Sequence, residues 1–133
     1  MQRIPKMSKK ILNTEKAPSP IGPYNQSVEA NGFLFVSGQI PIVPESGELI
    51  KGSAADQARQ SLKNLGAILA NAGLSFADVV KTTVFLSDIN DFAAVNAVYG
   101  EYFPSETAPA RSCVEVANLP KGVAVEIEVI AAL

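Results

Sequence analysis

An α+β domain, with a mixed sheet and two helices packed on one of its faces, is the fold class that this sequence predicts. Three observations carry it. Apolar residues recur at helical spacing in only two stretches, and elsewhere they alternate as in half-buried strands. The resulting order is β-β-β-α-β-α-β-β, a mixture that suits helices segregated to one face. The 133 residues contain no internal repeat and no linker long enough to separate domains.

Residues 1–8 read as a flexible N-terminal extension, and residues 9–133 as one domain. The stretch "MQRIPK" is basic, too short for a transit peptide, and lacks the apolar run of a secretory signal. A short strand is expected at Lys9–Asn13. "APSPIGP" (17–23) is a stiff extended loop, because proline fixes φ. "QSVEA" and "FLFVSGQIPI" form a hairpin around Asn31-Gly32, two residues that tolerate positive φ. Pro41 and Pro44 confine the second strand to an edge or end it early.

Ser53 caps the first helix, with Asp56 three residues on in the manner of a capping box. Ala58, Leu62, Leu65, Ile68, Leu69 and Ala72 form its apolar stripe, and Gly73 stops it. "DVVKTTVFLSD" is β-branched and strand-like. Asp91 is expected to cap a second helix with the stripe Phe92, Val95, Tyr99 and Tyr102, halted by Pro104. "ARSCVEVANL" and "VAVEIEVIAAL" are the last two strands, with a charged side at Glu115, Glu126 and Glu128.

Composition narrows the function. A net charge of −2 offers no basic face for neutralising phosphates, so no nucleic-acid partner is expected. No apolar run approaches the ~20 residues of a membrane span. The single cysteine precludes an internal disulfide and a multi-cysteine zinc site, and it fits a reducing, cytoplasmic setting. An apolar content of 47% is high for so small a chain, and it points to a sheet face buried against further copies. The absence of histidine excludes Ser–His–Asp and Cys–His pairs and HExxH metal sites. Any proton chemistry falls to carboxylates, Tyr, Lys, Cys or the substrate.

Seven residues stand out, each with a structural and a functional reading. Arg111 is either a strand arginine reaching water or a fork for a small carboxylate. Glu126 is either a solvated strand residue or a partly desolvated general base. Cys113 is a small hydrophobe or a pocket wall, with no histidine to activate it. Tyr24 packs, or is presented by the rigid "IGP". Ser37-Gly38 is a turn, or a place of close backbone approach. Asn96, a poor helix former, is solvent-facing or faces a site.

Taken together, "APSPIGPYNQSV", "VSGQIP", "VNAVY", "PARSCVEVANLPKG" and "VEIEVIA" resemble the RidA-type reactive intermediate deaminase family over Lys9 to Leu133. The resemblance implies a chorismate-mutase-like (ferredoxin-like) fold and a homotrimer with a central β-barrel and pockets between subunits. It implies hydrolysis of 2-iminobutanoate, 2-iminopropanoate and their enamine tautomers, released by pyridoxal-phosphate enzymes, to 2-oxo acids and ammonia. No cofactor or metal is implied. By motif, the carboxylate-binding arginine falls on Arg111 and the water-activating glutamate on Glu126. The remaining pocket falls on Tyr24, Ser37, Gly38, Asn96 and Cys113.

On this basis Arg111 and Glu126 are expected on one side of the sheet, in a crevice shared by adjoining protomers. Ser112 is expected to point the other way. The rival readings are a non-catalytic trimer that binds small carboxylates in a regulatory or chaperone-like role, and a pericyclic enzyme of chorismate-mutase type. The latter needs several cationic contacts, and one good candidate is found.

Overall fold

A computed structural model describes residues 8–133, and residues 1–7 of the expected extension lie outside them. Eight main elements follow in chain order: β1 (Lys10–Leu12), β2 (Ser27–Ala30), β3 (Phe33–Gln39), α1 (Ala54–Asn71), β4 (Val79–Leu86), α2 (Phe92–Tyr102), β5 (Ala110–Glu115) and β6 (Val125–Ala132). They build one six-stranded sheet in the order β1-β2-β3-β6-β4-β5. Only β4 and β5 run parallel, because α2 connects them and returns the chain to the same end of the sheet. The mixed sheet with two helices matches the expected class.

Local chemistry accounts for most boundaries. Asn31 and Gly32 adopt φ of 52° and 85°, as a two-residue hairpin turn between β2 and β3 requires. The Ser53 side chain accepts from the Asp56 amide at 3.2 Å, closing the first turn of α1. Gly73, at φ 76°, ends α1, with the Leu74 amide donating to the Leu69 carbonyl. β3 stops at Gln39, before Pro41.

Three expectations are corrected. β1 spans three residues rather than five, because only Lys10–Leu12 find partners on β2. Asp91 makes no side-chain cap to α2; a 3₁₀ turn at Ile89–Asp91 precedes the helix, and Asp88 caps that turn by accepting from the Asn90 amide at 2.9 Å. The buried residues of α2 are Val95, Val98 and Tyr99, followed by Phe103, whereas Phe92 is exposed.

The core lies between the helices and one sheet face. Leu62, Leu65 and Leu69 of α1 meet Leu34 and Val36 of β3 and Val125, Ile127 and Val129 of β6. Each such side chain contributes about 1.5–3 kcal/mol on leaving water. Leu65 is fully buried, so Leu65→Ala is expected to lower unfolding free energy by about 2–5 kcal/mol in a denaturant titration.

The opposite sheet face carries Phe33, Phe35 and Val114, each more than 40% exposed, with half-buried Phe85 and Ile130. Cross-strand pairing sets Phe33 opposite Ala132 and Phe35 opposite Ile130, which makes an apolar sheet face without a helix over it. No described helix is long and apolar enough to cross a membrane.

Candidate functional site

Register decides which residues share a face. β4 lies between β5 and β6, and Val84 pairs with both Cys113 and Ile127. Phe85 pairs with both Val114 and Glu126. Directly paired residues point the same way, and alternate residues point oppositely. Arg111 and Cys113 therefore lie on the helix side with Ile127, and Glu126 lies on the other. The expectation that Arg111 and Glu126 share a side is corrected for one chain. Strand alternation relates residues within a strand, but the relation between strands depends on register. Glu115 is likewise not with Glu126 and Glu128: it pairs with buried Leu86, and its carboxylate accepts from the Ile89 amide at 2.9 Å.

The seven candidate residues thus form two groups. The first is cationic and sits at the outer strand β5 under α2. Arg111 Nη1 donates to Asn96 Oδ1 at 2.7 Å. Its guanidinium carbon lies 4.6 Å from the centroid of the Tyr99 ring and 5.6 Å from that of Phe92. These distances suit cation–π attraction. Cys113 is half-buried beside them, and burial pushes its thiol pKa up while Arg111 partly opposes that. A thiol so placed is mostly protonated at neutral pH and is a poor nucleophile. Next to Arg111, an open depression of about 570 Å³ is bordered by Asn96, Tyr99, Phe103, Pro104 and Pro109. Among the described residues, Arg111 has no ion-pair partner; the one pair is Arg59–Glu101 at 2.9 Å. Such a fork retains free donors for a carboxylate.

The second group is acidic. Between β3 and β6 the register slips, so that Val36 pairs with Val129 but Gln39 with Ile127. Three steps on β3 oppose two on β6, a bulge that takes Ser37 and Gly38 out of the ladder. A Cβ on Gly38 would overlap the Glu126 carboxylate, so the glycine is there for the close approach anticipated from the sequence. Ser37 Oγ donates to the Asn25 carbonyl at 2.6 Å, tying the bulge to the loop that carries Tyr24.

Buried Gln26 secures the same loop. Its side chain accepts from the Thr14 amide at 2.7 Å and donates to the carbonyls of Thr14 and Pro18, each at 2.9 Å. Tyr24 and Gly38 then line one narrow groove with Pro18 and Ile21. Burial raises the Glu126 pKa, and Glu128 on the same face raises it further. A carboxyl raised in this way becomes a stronger base once ionised. Gly38→Ala is expected to push the Glu126 carboxylate out of place. Any turnover that depends on Glu126 should then fall in a steady-state assay, with circular dichroism unchanged.

Ser112 points away from Arg111, as expected, and its Oγ accepts from Lys81 Nζ at 2.9 Å. Phe92 and Tyr99 were legible only as an apolar stripe. Their spacing from Asn96 on one helix face was the available signal, and the parallel β4–β5 pairing is what brings Arg111 beneath them. Among the described residues, no three His, Cys, Asp or Glu gather as for a metal.

The chain resembles known proteins over nearly all of its length. A family model described as "Endoribonuclease L-PSP" matches residues 14–133. The RutC family protein slr0709 of Synechocystis is 59% identical over 128 residues, covering 96% of this chain and 98% of that protein. A protein of Escherichia coli K12 named as a candidate reactive intermediate deaminase, TdcF, is 53% identical over 125 residues, 92% of this chain and 96% of its own length. The crystal structure of E. coli TdcF with bound serine superposes with a TM-score of 0.87 at 51% identity, covering 93% of this chain and 98% of that one.

Proposed function

The chain belongs to the RidA-type family whose model is described as endoribonuclease L-PSP, and from that premise we propose that it is a cytoplasmic imine and enamine hydrolase. Its substrates are small 2-imino acids such as 2-iminobutanoate and 2-iminopropanoate, and its products are 2-oxo acids and ammonia. The observation that carries this reading is Arg111, held by Asn96 and two aromatic rings and, among the described residues, paired with no carboxylate. That arrangement suits a 2-imino acid carboxylate. The TdcF relative's bound serine, itself a small α-amino acid, is consistent with it.

The two groups act together only if two copies meet. In the proposed homotrimer, with a chorismate-mutase-like fold and a central barrel, the apolar sheet faces bearing Phe33 and Phe35 pack inward. Arg111, Asn96 and Cys113 of one chain then face Tyr24, Ser37, Gly38 and Glu126 of the next. Arg111 binds the substrate carboxylate and so fixes the imine carbon. Glu126 accepts a proton from a water molecule whose oxygen bonds to that carbon. Glu126 passes that proton, directly or through water, to the imine nitrogen, which regenerates the carboxylate and gives a neutral tetrahedral amino alcohol. Its C–N bond then breaks, and ammonia leaves as the hydroxyl proton returns through Glu126 or water. No cofactor takes part in this scheme.

The test couples the protein to threonine dehydratase and traps the imine with semicarbazide. Faster release of 2-oxobutanoate with less trapped imine is expected. Undiminished trapping overturns the reaction and favours the non-catalytic carboxylate-binding alternative. The shared site has its own test. Co-refolding Arg111→Ala chains with Glu126→Gln chains should restore activity, because some interfaces then combine an intact Arg111 with an intact Glu126. Mixed assemblies as inactive as either parent would overturn a site built from two chains.

A further inference from the structure

We infer that Tyr99 is a positioning residue for Arg111: its ring is the platform under the guanidinium, and Thr82 locks that ring in place. This rests on the proposed role of Arg111 as the carboxylate anchor and extends it to residues to which the sequence assigned only packing. Three side chains of α2 at i, i+4 and i+7, namely Phe92, Asn96 and Tyr99, form one stripe over the start of β5. Asn96 holds Arg111 by a hydrogen bond, and the two rings approach it from the same helix.

The Tyr99 ring is the nearer, at 4.6 Å, and it is 6% exposed, whereas Phe92 is 38% exposed. Cation–π attraction strengthens with desolvation, so Tyr99 is the stronger partner. The ring cannot easily turn, because its hydroxyl lies 2.7 Å from Thr82 Oγ1, and Thr82 is fully buried. Thr82 also pairs directly with Arg111 across the parallel β4–β5 ladder. Anchor, platform and lock thus form one closed circuit from β5 to α2 to β4. Burial raises the Tyr99 pKa, against the opposing pulls of Thr82 and Arg111, so the hydroxyl stays protonated and the ring acts by its face.

The test measures binding of 2-oxobutanoate by calorimetry, and KM and the pH profile in the coupled assay. Tyr99→Leu is expected to weaken binding and raise KM by about 5- to 30-fold. The pH profile should not move, since the proposed base is elsewhere. Tyr99→Phe keeps the ring but, like Thr82→Val, loses the hydrogen bond that locks it, so it should restore most of the binding lost in Tyr99→Leu and stop a few-fold short of the parent. Thr82→Val keeps the ring but removes its lock, and should raise KM by an intermediate factor. A folded Tyr99→Leu that binds as tightly as the parent overturns the inference. If Tyr99→Leu does not fold, an unchanged KM in Thr82→Val overturns it instead. Arg111→Ala separates the two levels. Lost binding in that variant beside normal binding in Tyr99→Leu removes only the platform, whereas unchanged binding in Arg111→Ala removes the anchor and the platform together.

Discussion

Arg111→Ala is expected to lower kcat/KM for 2-iminobutanoate by about 10²- to 10³-fold, with the oligomeric state and secondary structure unchanged. The size follows from what the side chain supplies. In the pocket proposed between two chains, a carboxylate paired with a guanidinium loses about 2–5 kcal/mol when the cation is removed, misplacement of the reacting carbon included. The fold is expected to survive because Arg111 is exposed and forms no ion pair among the described residues. Its loss costs the hydrogen bond to Asn96 and the two ring contacts, about 1 kcal/mol. Arg111→Lys is informative beside it. Lysine keeps the charge but not the planar fork, so it should recover only some of the lost affinity. Kinetics for Arg111→Ala equal to the parent's would remove this residue from the anchor role.

Glu126→Gln is expected to lower kcat by about 10²- to 10⁴-fold, the usual contribution of a positioned general base, with a smaller change in KM. The pH dependence carries a sign. Burial, with Glu128 second, raises the Glu126 pKa above the ordinary glutamate value. Only the ionised form takes a proton from water, so activity should fall as pH drops through that raised pKa, and Glu126→Gln should abolish this limb.

Stability moves the opposite way. Between the unfolded and folded pKa values the native state binds more protons than the unfolded chain, so stability falls as pH rises through that window. Glu126→Gln should remove this slope and leave the protein slightly more stable at neutral pH. A retained acidic limb in the variant would assign the base to another group.

Much of the fold was legible because its cues are local. Asn31-Gly32, the Ser53 cap and the Gly73 stop each act through a few neighbouring residues, and the structure shows all three. The start of α2 was misread because Asp91 has the composition of a cap, while the capping hydrogen bond belongs to Asp88 one turn earlier. At the site, Gly38 was legible as a point of close approach, but the group approaching it was not. Glu126 is remote in sequence and reaches Gly38 only through the β3–β6 bulge.

The order of elements, the turn and cap chemistry, the apolar stripe of α1 and the inventory of groups without histidine all follow from the amino acids in chain order. Which of those groups meet does not. Alternation along a strand is a property of the backbone, so it ties Arg111 to Cys113 and Glu126 to Glu128. The relation between the two pairs is set by hydrogen-bond register across β4, a long-range choice made only when the chain packs. That register sends the guanidinium to the helix side and the carboxylate to the apolar side, so within one chain the two lie on opposite faces of the sheet.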